Sequence, residues 1–105
     1  DGDVTKPTII HNVSPTYPEE ARKSGLIGVV VCETIIDSTG KVVDAKILRS
    51  PHESLGNAAV EAIEQWVFEP ARNADGEAVD VLFEITVNFR LQNNLKLPLN
   101  FDMEL

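Results

Sequence analysis

The groups in this chain that could do chemistry are two histidines, His11 and His52, one cysteine, Cys32, and seventeen aspartates and glutamates. Catalysis needs such groups to converge on one point. His11 falls in an extended leader and His52 in a loop before a helix. Neither has the clustered cysteines or spaced histidines of a zinc site. Cys32 occupies an inward position of a strand, with no cation or helix start beside it in sequence, so it reads as a buried structural thiol. Glu33 and Asp37 share a strand face that runs into a hairpin, where solvation explains them. No glycine-rich phosphate loop and no nucleophile-elbow motif occurs. The expectation is a protein that is not an enzyme and uses no cofactor and no metal.

What the sequence does offer is backbone. Along 79–91, apolar residues stand at every odd position: Val79, Val81, Phe83, Ile85, Val87, Phe89 and Leu91. The even positions Asp80, Glu84, Thr86, Asn88 and Arg90 are polar, and Leu82 is the apolar exception. Period two marks a strand with one face on a core. At about 3.3 Å per residue this stretch would extend ~43 Å, far beyond the ~5–6 residues of an ordinary strand. A small domain cannot cover such a strand on both sides. An open edge of backbone donors and acceptors is then either a hazard or a binding site. On that edge Leu82, Glu84, Thr86, Asn88 and Arg90 face outward and are the expected partner-binding side chains. Ile85 and Val87 contribute main chain.

Bulk properties narrow the partners. With 105 residues, 43% of them hydrophobic and 25% charged, the chain is expected to form one globular domain. A net charge of −8 repels phosphate backbones and anionic membrane surfaces, so nucleic acid is not an expected partner. One cysteine allows no internal disulfide. The start at Asp1, without initiator Met, signal peptide or spanning segment, reads as a piece cut from a longer protein.

The remaining elements follow from caps, stripes and turns. Pro18 suits a first helical turn, Glu19 and Glu20 favour its positive end, and Gly25 can terminate it. Gly28 opens a strand through Asp37 with Val30, Cys32, Thr34 and Ile36 on one face. Ser38-Thr39-Gly40-Lys41 is a hairpin turn with Gly40 free to take positive φ. The return strand is 42–49, with Val43, Ala45 and Ile47 on one side. Ser54 is the expected N-cap of a second helix. Its stripe is Leu55, Ala59, Ala62, Ile63 and Trp66, and it must stop before Pro70. Asn73-Ala74-Asp75-Gly76 turns the chain into the long strand. This order predicts an α+β fold: a small, antiparallel-rich sheet of three to four strands with two helices packed on one face. The boundaries expected are an extended leader or linker end at 1–14, a domain at 15–91, and a tail at 92–105 that supplies an extra edge strand.

Three motifs in order and at matching spacing carry a resemblance. Tyr17-Pro18-Glu19-Glu20-Ala21-Arg22, followed by Gly25 and Gly28, resembles the opening of the TonB C-terminal domain family. Asp37-Ser38-Thr39-Gly40-Lys41-Val42 is similar to the family's hairpin turn. Trp66-Val67-Phe68-Glu69-Pro70-Ala71 is similar to its Trp-x-aromatic-x-Pro-small signature. Tyr17, Pro18, Gly40, Trp66, Phe68 and Pro70 then read as fold-determining positions, with Trp66 and Phe68 sealing the core. The resemblance implies a periplasmic domain, tethered to the inner membrane by an upstream segment. It would grip the TonB-box peptide of outer-membrane transporters by strand addition and pass on work from inner-membrane motor proteins. The alternative is a TonB-like structural, regulatory or dimerisation module of another envelope protein, without energy transduction. Two departures stand out. The stretch from Glu61 to Val67 has no basic residue where many members carry arginines, and Ser14 stands where some carry Gln.

A second alternation, from Leu95 to Leu105 and interrupted by Pro98, lies beyond the resemblance. Gln92-Asn93-Asn94 offers a turn before it. Three readings stay open: a fourth strand folded back on 79–91, an arm exchanged in a homodimer through 79–105, or a segment that joins further chain or a partner. If the tail occupies the client's edge, it competes with the client.

Overall fold

The computed structural model describes residues 4–90 and 102–104. In chain order the elements are β1 (Thr8–His11), α1 (Glu19–Lys23), β2 (Gly28–Ile36), β3 (Val42–Arg49), α2 (Glu53–Ile63), β4 (Val67–Glu69), β5 (Ala71–Arg72), β6 (Ala78–Val79), β7 (Val81–Phe89) and β8 (Asp102–Glu104). The central sheet has the order β3-β2-β7-β8, and every pairing in it is antiparallel.

Alternation decides which face of this sheet is covered. β2 buries Val30, Cys32, Thr34 and Ile36, and β7 buries Ile85, Val87 and Phe89. The two strands pair without interruption from Gly28↔Phe89 to Ile36↔Val81. Leu55, Ala58, Ala59, Ala62 and Ile63 of α2 and Ala21 of α1 close over that face. Both helices therefore pack on one side, and the fold class expected from element order holds. Thr34 is the buried polar side chain of this core. Its Oγ1 donates to the Phe83 carbonyl at 2.6 Å, which offsets the cost of burying a hydroxyl. Tyr17 stands edge-on to Phe89, with centroids 5.4 Å apart, and its hydroxyl donates to the Leu26 carbonyl.

Four local expectations change. On β3, Val43 does not share a side with Ala45 and Ile47: the register shifts there, Val43 is 57% exposed, and Val42 packs against the core instead. The second helix is capped by His52, not Ser54: His52 Nδ1 accepts the Ser54 backbone N–H at 3.1 Å, and helical geometry begins at Glu53. It also ends at Ile63, before Trp66. Gln65 and Trp66 donate to carbonyls three residues back, a tight final turn, and 67–69 then go extended. Pro70 biases Glu69 away from helix, and β1 claims the strand. Finally, the long alternation is not one strand. Asp80 divides it: β6 pairs with β5, whereas β7 joins the central sheet. The Asp80 carboxylate accepts the Ser38 N–H at 2.9 Å, fixing the crossing point.

The leader is also structured. β1 pairs antiparallel with β4, Thr8↔Glu69 and Ile9↔Phe68, with Ile10 bulged and exposed. Thr5 and Arg72 extend the contact: the Thr5 N–H donates to the Arg72 carbonyl, and the Arg72 N–H donates to Thr5 Oγ1. The other side of β4 meets the β2–β3 turn, where the Phe68 N–H donates to the Gly40 carbonyl at 2.8 Å. Trp66 and Phe68, both 1% exposed, lie beneath this junction with centroids 6.2 Å apart. Phe83 meets Phe68 edge-on at 6.0 Å.

Candidate partner-binding edge

β7 is paired on one side with β2 and anchored to the core by Ile85, Val87 and Phe89. On the uncovered face of the sheet its side chains form rows with those of β2: Leu82 with Ile35, Glu84 with Glu33, Thr86 with Val31 and Asn88 with Val29. Leu82 is 62% exposed and stands beside half-buried Ile35, so the two form an apolar pair that the sequence of β7 alone does not reveal. Glu33 and Glu84 are directly opposite, a repulsive arrangement. Lys46 stands opposite Glu33 on β3.

The far side of β7 is divided. Thr86, Val87 and Asn88 pair with Glu104, Met103 and Asp102. Along 81–85 no strand pairs with that side among the described residues. Of the expected partner-binding residues, Leu82 and Glu84 lie on the unpaired stretch, and Ile85 ends it with its side chain buried. Thr86, Val87 and Asn88 lie opposite β8, and Arg90 follows the strand's end. Residues 91–101, which include the expected turn at 92–94 and most of the second alternation, are outside the described residues.

The histidines, the cysteine and the acidic residues are scattered. His11 is exposed in β1, and His52 is engaged in its cap. No group of three or more metal-ligating side chains comes together among the described residues. Asp37 instead builds the β2–β3 turn. Its Oδ1 accepts from Thr39 Oγ1 at 2.6 Å and from the N–H groups of Thr39 and Lys41 at 2.9 and 3.1 Å. The Thr39 hydroxyl, followed by the Lys41 amide, holds this carboxyl below its usual range. The sequence marks the turn but not what it docks on.

Cys32 is fully buried, and desolvation pushes its thiol up to about 11 from 9.0. Folding thus favours the protonated thiol. That contribution is complete below pH 9 and is lost as pH rises through about 11. Native protein at pH 8 is expected to resist iodoacetamide, and urea-unfolded protein to alkylate at the rate of a free thiol. Equal rates in the two states would show that the burial is not maintained in solution.

Comparison with known proteins agrees with the architecture. The family described as Gram-negative bacterial TonB protein C-terminal matches residues 13–91. Protein TonB of Vibrio cholerae serotype O1 is 37% identical over 91 residues, covering 85% of this chain and 37% of that protein. Protein tonB2 of Pseudomonas aeruginosa is 31% identical over 83 residues, covering 78% of this chain and 30% of that protein. The chain therefore spans about a third of the length of these curated relatives. The solution NMR structure of the Pseudomonas aeruginosa TonB CTD superposes with a TM-score of 0.69 at 28% identity, covering 90% of this chain and 92% of that one. Fold and family together define a small α+β interaction domain. The chain belongs to the TonB C-terminal domain family.

Proposed function

We propose that this domain is the peptide-binding end of a TonB-like energy transducer in the periplasm. It takes the TonB box of outer-membrane transporters as an added strand on β7 and transmits work derived from the proton-motive force for substrate import. An upstream segment tethers it to the inner membrane and its motor proteins. The observation that carries this reading is the side of β7 along 81–85: a strand paired along its whole length with β2 on one side and with no strand on the other among the described residues. Strand addition draws its affinity from main-chain hydrogen bonds, so client sequences can vary. Leu82 and Glu84 would meet the client first. Thr86, Asn88 and Arg90, with the main chain of Ile85 and Val87, would engage as it extends. Family membership and the likeness to the Pseudomonas aeruginosa domain support the transducer role.

A client longer than the free stretch must compete with β8, which holds 86–88. Its apparent affinity is reduced by the fraction of molecules in which β8 is seated. Titrating ¹⁵N-labelled protein with TonB-box heptapeptides from outer-membrane receptors is expected to shift amides along β7. Deleting 95–105 is expected to tighten binding at least about threefold. No shift at millimolar peptide would overturn the peptide-binding reading. Shifts with unchanged affinity after the deletion would overturn the competition alone.

A further inference from the structure

The central sheet has a second edge. β3 ends it on the side away from β8, and no strand pairs with the outer side of β3 among the described residues. Edge strands are usually short or guarded by charge, proline or bulges. β3 carries such guards, two bulges and the exposed charges Asp44, Lys46 and Arg49, yet it runs for eight residues and exposes Val43, Ile47 and Leu48, at 57%, 38% and 48%. Its two irregularities of register against β2 fall at Val43 and Leu48, leaving 44–47 regular between them.

Beside that regular run lies an open cleft of about 500 Å³ between β3 and α2, lined by Ala45, Ile47, Asn57, Val60 and Glu61. Its shape follows from side-chain size. At Gly56 the helix lies against the strand, where an added methyl would meet Ile47 Cδ1 at 2.9 Å and Ser50 Oγ at 3.1 Å. One turn further on, Val60 and Ala45 line the gap, and the short Ala45 side chain leaves space that a larger residue would fill. Glu61 is the acidic residue on the cleft wall. Exposed Glu53 and Glu64 flank it along the helix, and no basic residue occurs from Glu53 to Gln65. With a chain charge of −8, this wall attracts cations.

We infer that the α2–β3 cleft is a second peptide-binding site, separate from β7. It takes an extended segment with one apolar side chain and, two positions on, a Lys or Arg. The segment's main chain pairs with 44–47. Residues two apart point to the same side of a strand, so the apolar side chain seats on Ile47 and Val60 while the cation meets Glu61. β2 lies between this edge and β7, so the site stands whether or not β7 takes a TonB box.

The test uses the full chain, ¹⁵N-labelled, and two blocked pentapeptides, Thr-Val-Thr-Lys-Thr and Thr-Val-Thr-Glu-Thr. The lysine peptide is expected to give saturable shifts at 44–47, Asn57 and Glu61 while 81–89 stay still, and to bind about fivefold tighter than the glutamate peptide. Glu61→Lys, an exposed substitution that keeps the spectrum elsewhere, is expected to reverse that preference. No saturable shift at millimolar peptide would overturn the inference, as would shifts confined to 81–89 or an unchanged preference in Glu61→Lys. Shifts at 44–47 that grow with protein concentration alone would assign the edge to a second copy of the chain and overturn it equally.

Discussion

Gly40→Ala is expected to lower the unfolding free energy by more than ~3 kcal/mol in urea denaturation. Gly40 sits at φ +90°, where an alanine pays roughly 1–2 kcal/mol for the left-handed backbone alone. Its β-carbon would also lie 1.8 Å from the Phe68 carbonyl oxygen, a separation that non-bonded atoms cannot hold. Relief requires the β2–β3 turn to withdraw from β4. That movement breaks the 2.8 Å bond from the Phe68 N–H to the Gly40 carbonyl and uncovers Phe68. Gly76→Ala separates the two effects. Gly76 is at φ +82° with nothing within 4 Å of the added carbon, so its substitution reports the backbone term by itself. Equal losses in the two variants would show that the turn does not rest on β4 in solution.

Trp66→Ala is expected to cost ~3–5 kcal/mol, the range for deleting a large aromatic from a packed core. A domain of this size has only about 5–15 kcal/mol to lose, so the variant should melt far lower and be partly unfolded at 37 °C. The indole does two things. Its rings fill the space above Phe68, and its Nε1–H donates to the Val13 carbonyl at 2.9 Å, tying the chain just after β1 to the core. Trp66→Phe keeps most of the volume but leaves the Val13 carbonyl without that donor. It should cost nearer ~1 kcal/mol while speeding amide exchange in β1 and at Val13. If Trp66→Phe costs as much as Trp66→Ala, the hydrogen bond and not the packing dominates.

How far the sequence reached depends on how local each signal is. The grouping of Val30, Cys32, Thr34 and Ile36 on one face of β2 follows from period two, because a pleated strand sends alternate side chains to opposite sides, but with Val29, Val31 and Ile35 on the other face it took the helices to decide which is covered. The stripe Leu55, Ala59, Ala62 and Ile63 marks α2 for the same kind of reason. The turn at 37–41 is legible because Asp37 satisfies the backbone of the very residues that follow it. The ends of elements were less legible. Ser54 looks like a cap by composition, but the imidazole of His52 is the acceptor that reaches the helix N–H. Trp66 keeps the helical spacing although the chain there has already tightened and turned toward a strand.

Long-range pairings were hidden. Nothing in Thr8–His11 states that it will pair with Val67–Glu69, and nothing in 79–91 states that Asp80 will divide it between two sheets. Main-chain hydrogen bonds carry almost no side-chain signature, so the partner of a strand is chosen by where the rest of the fold brings it. The sequence by itself determined which residues share a face in β2, β7 and α2, the turn at Gly40 and the α+β order, because side-chain periodicity and backbone preference act over a few residues; on β3 the bulge at Val43 turned Val42 inward instead. Tertiary structure alone decided the edges: that β8 takes 86–88, that among the described residues no strand lies beside 81–85, and that Gly56 and Ala45 open a cleft along β3. An edge is defined by what does not pair with it, and that becomes settled only when every other strand has its place.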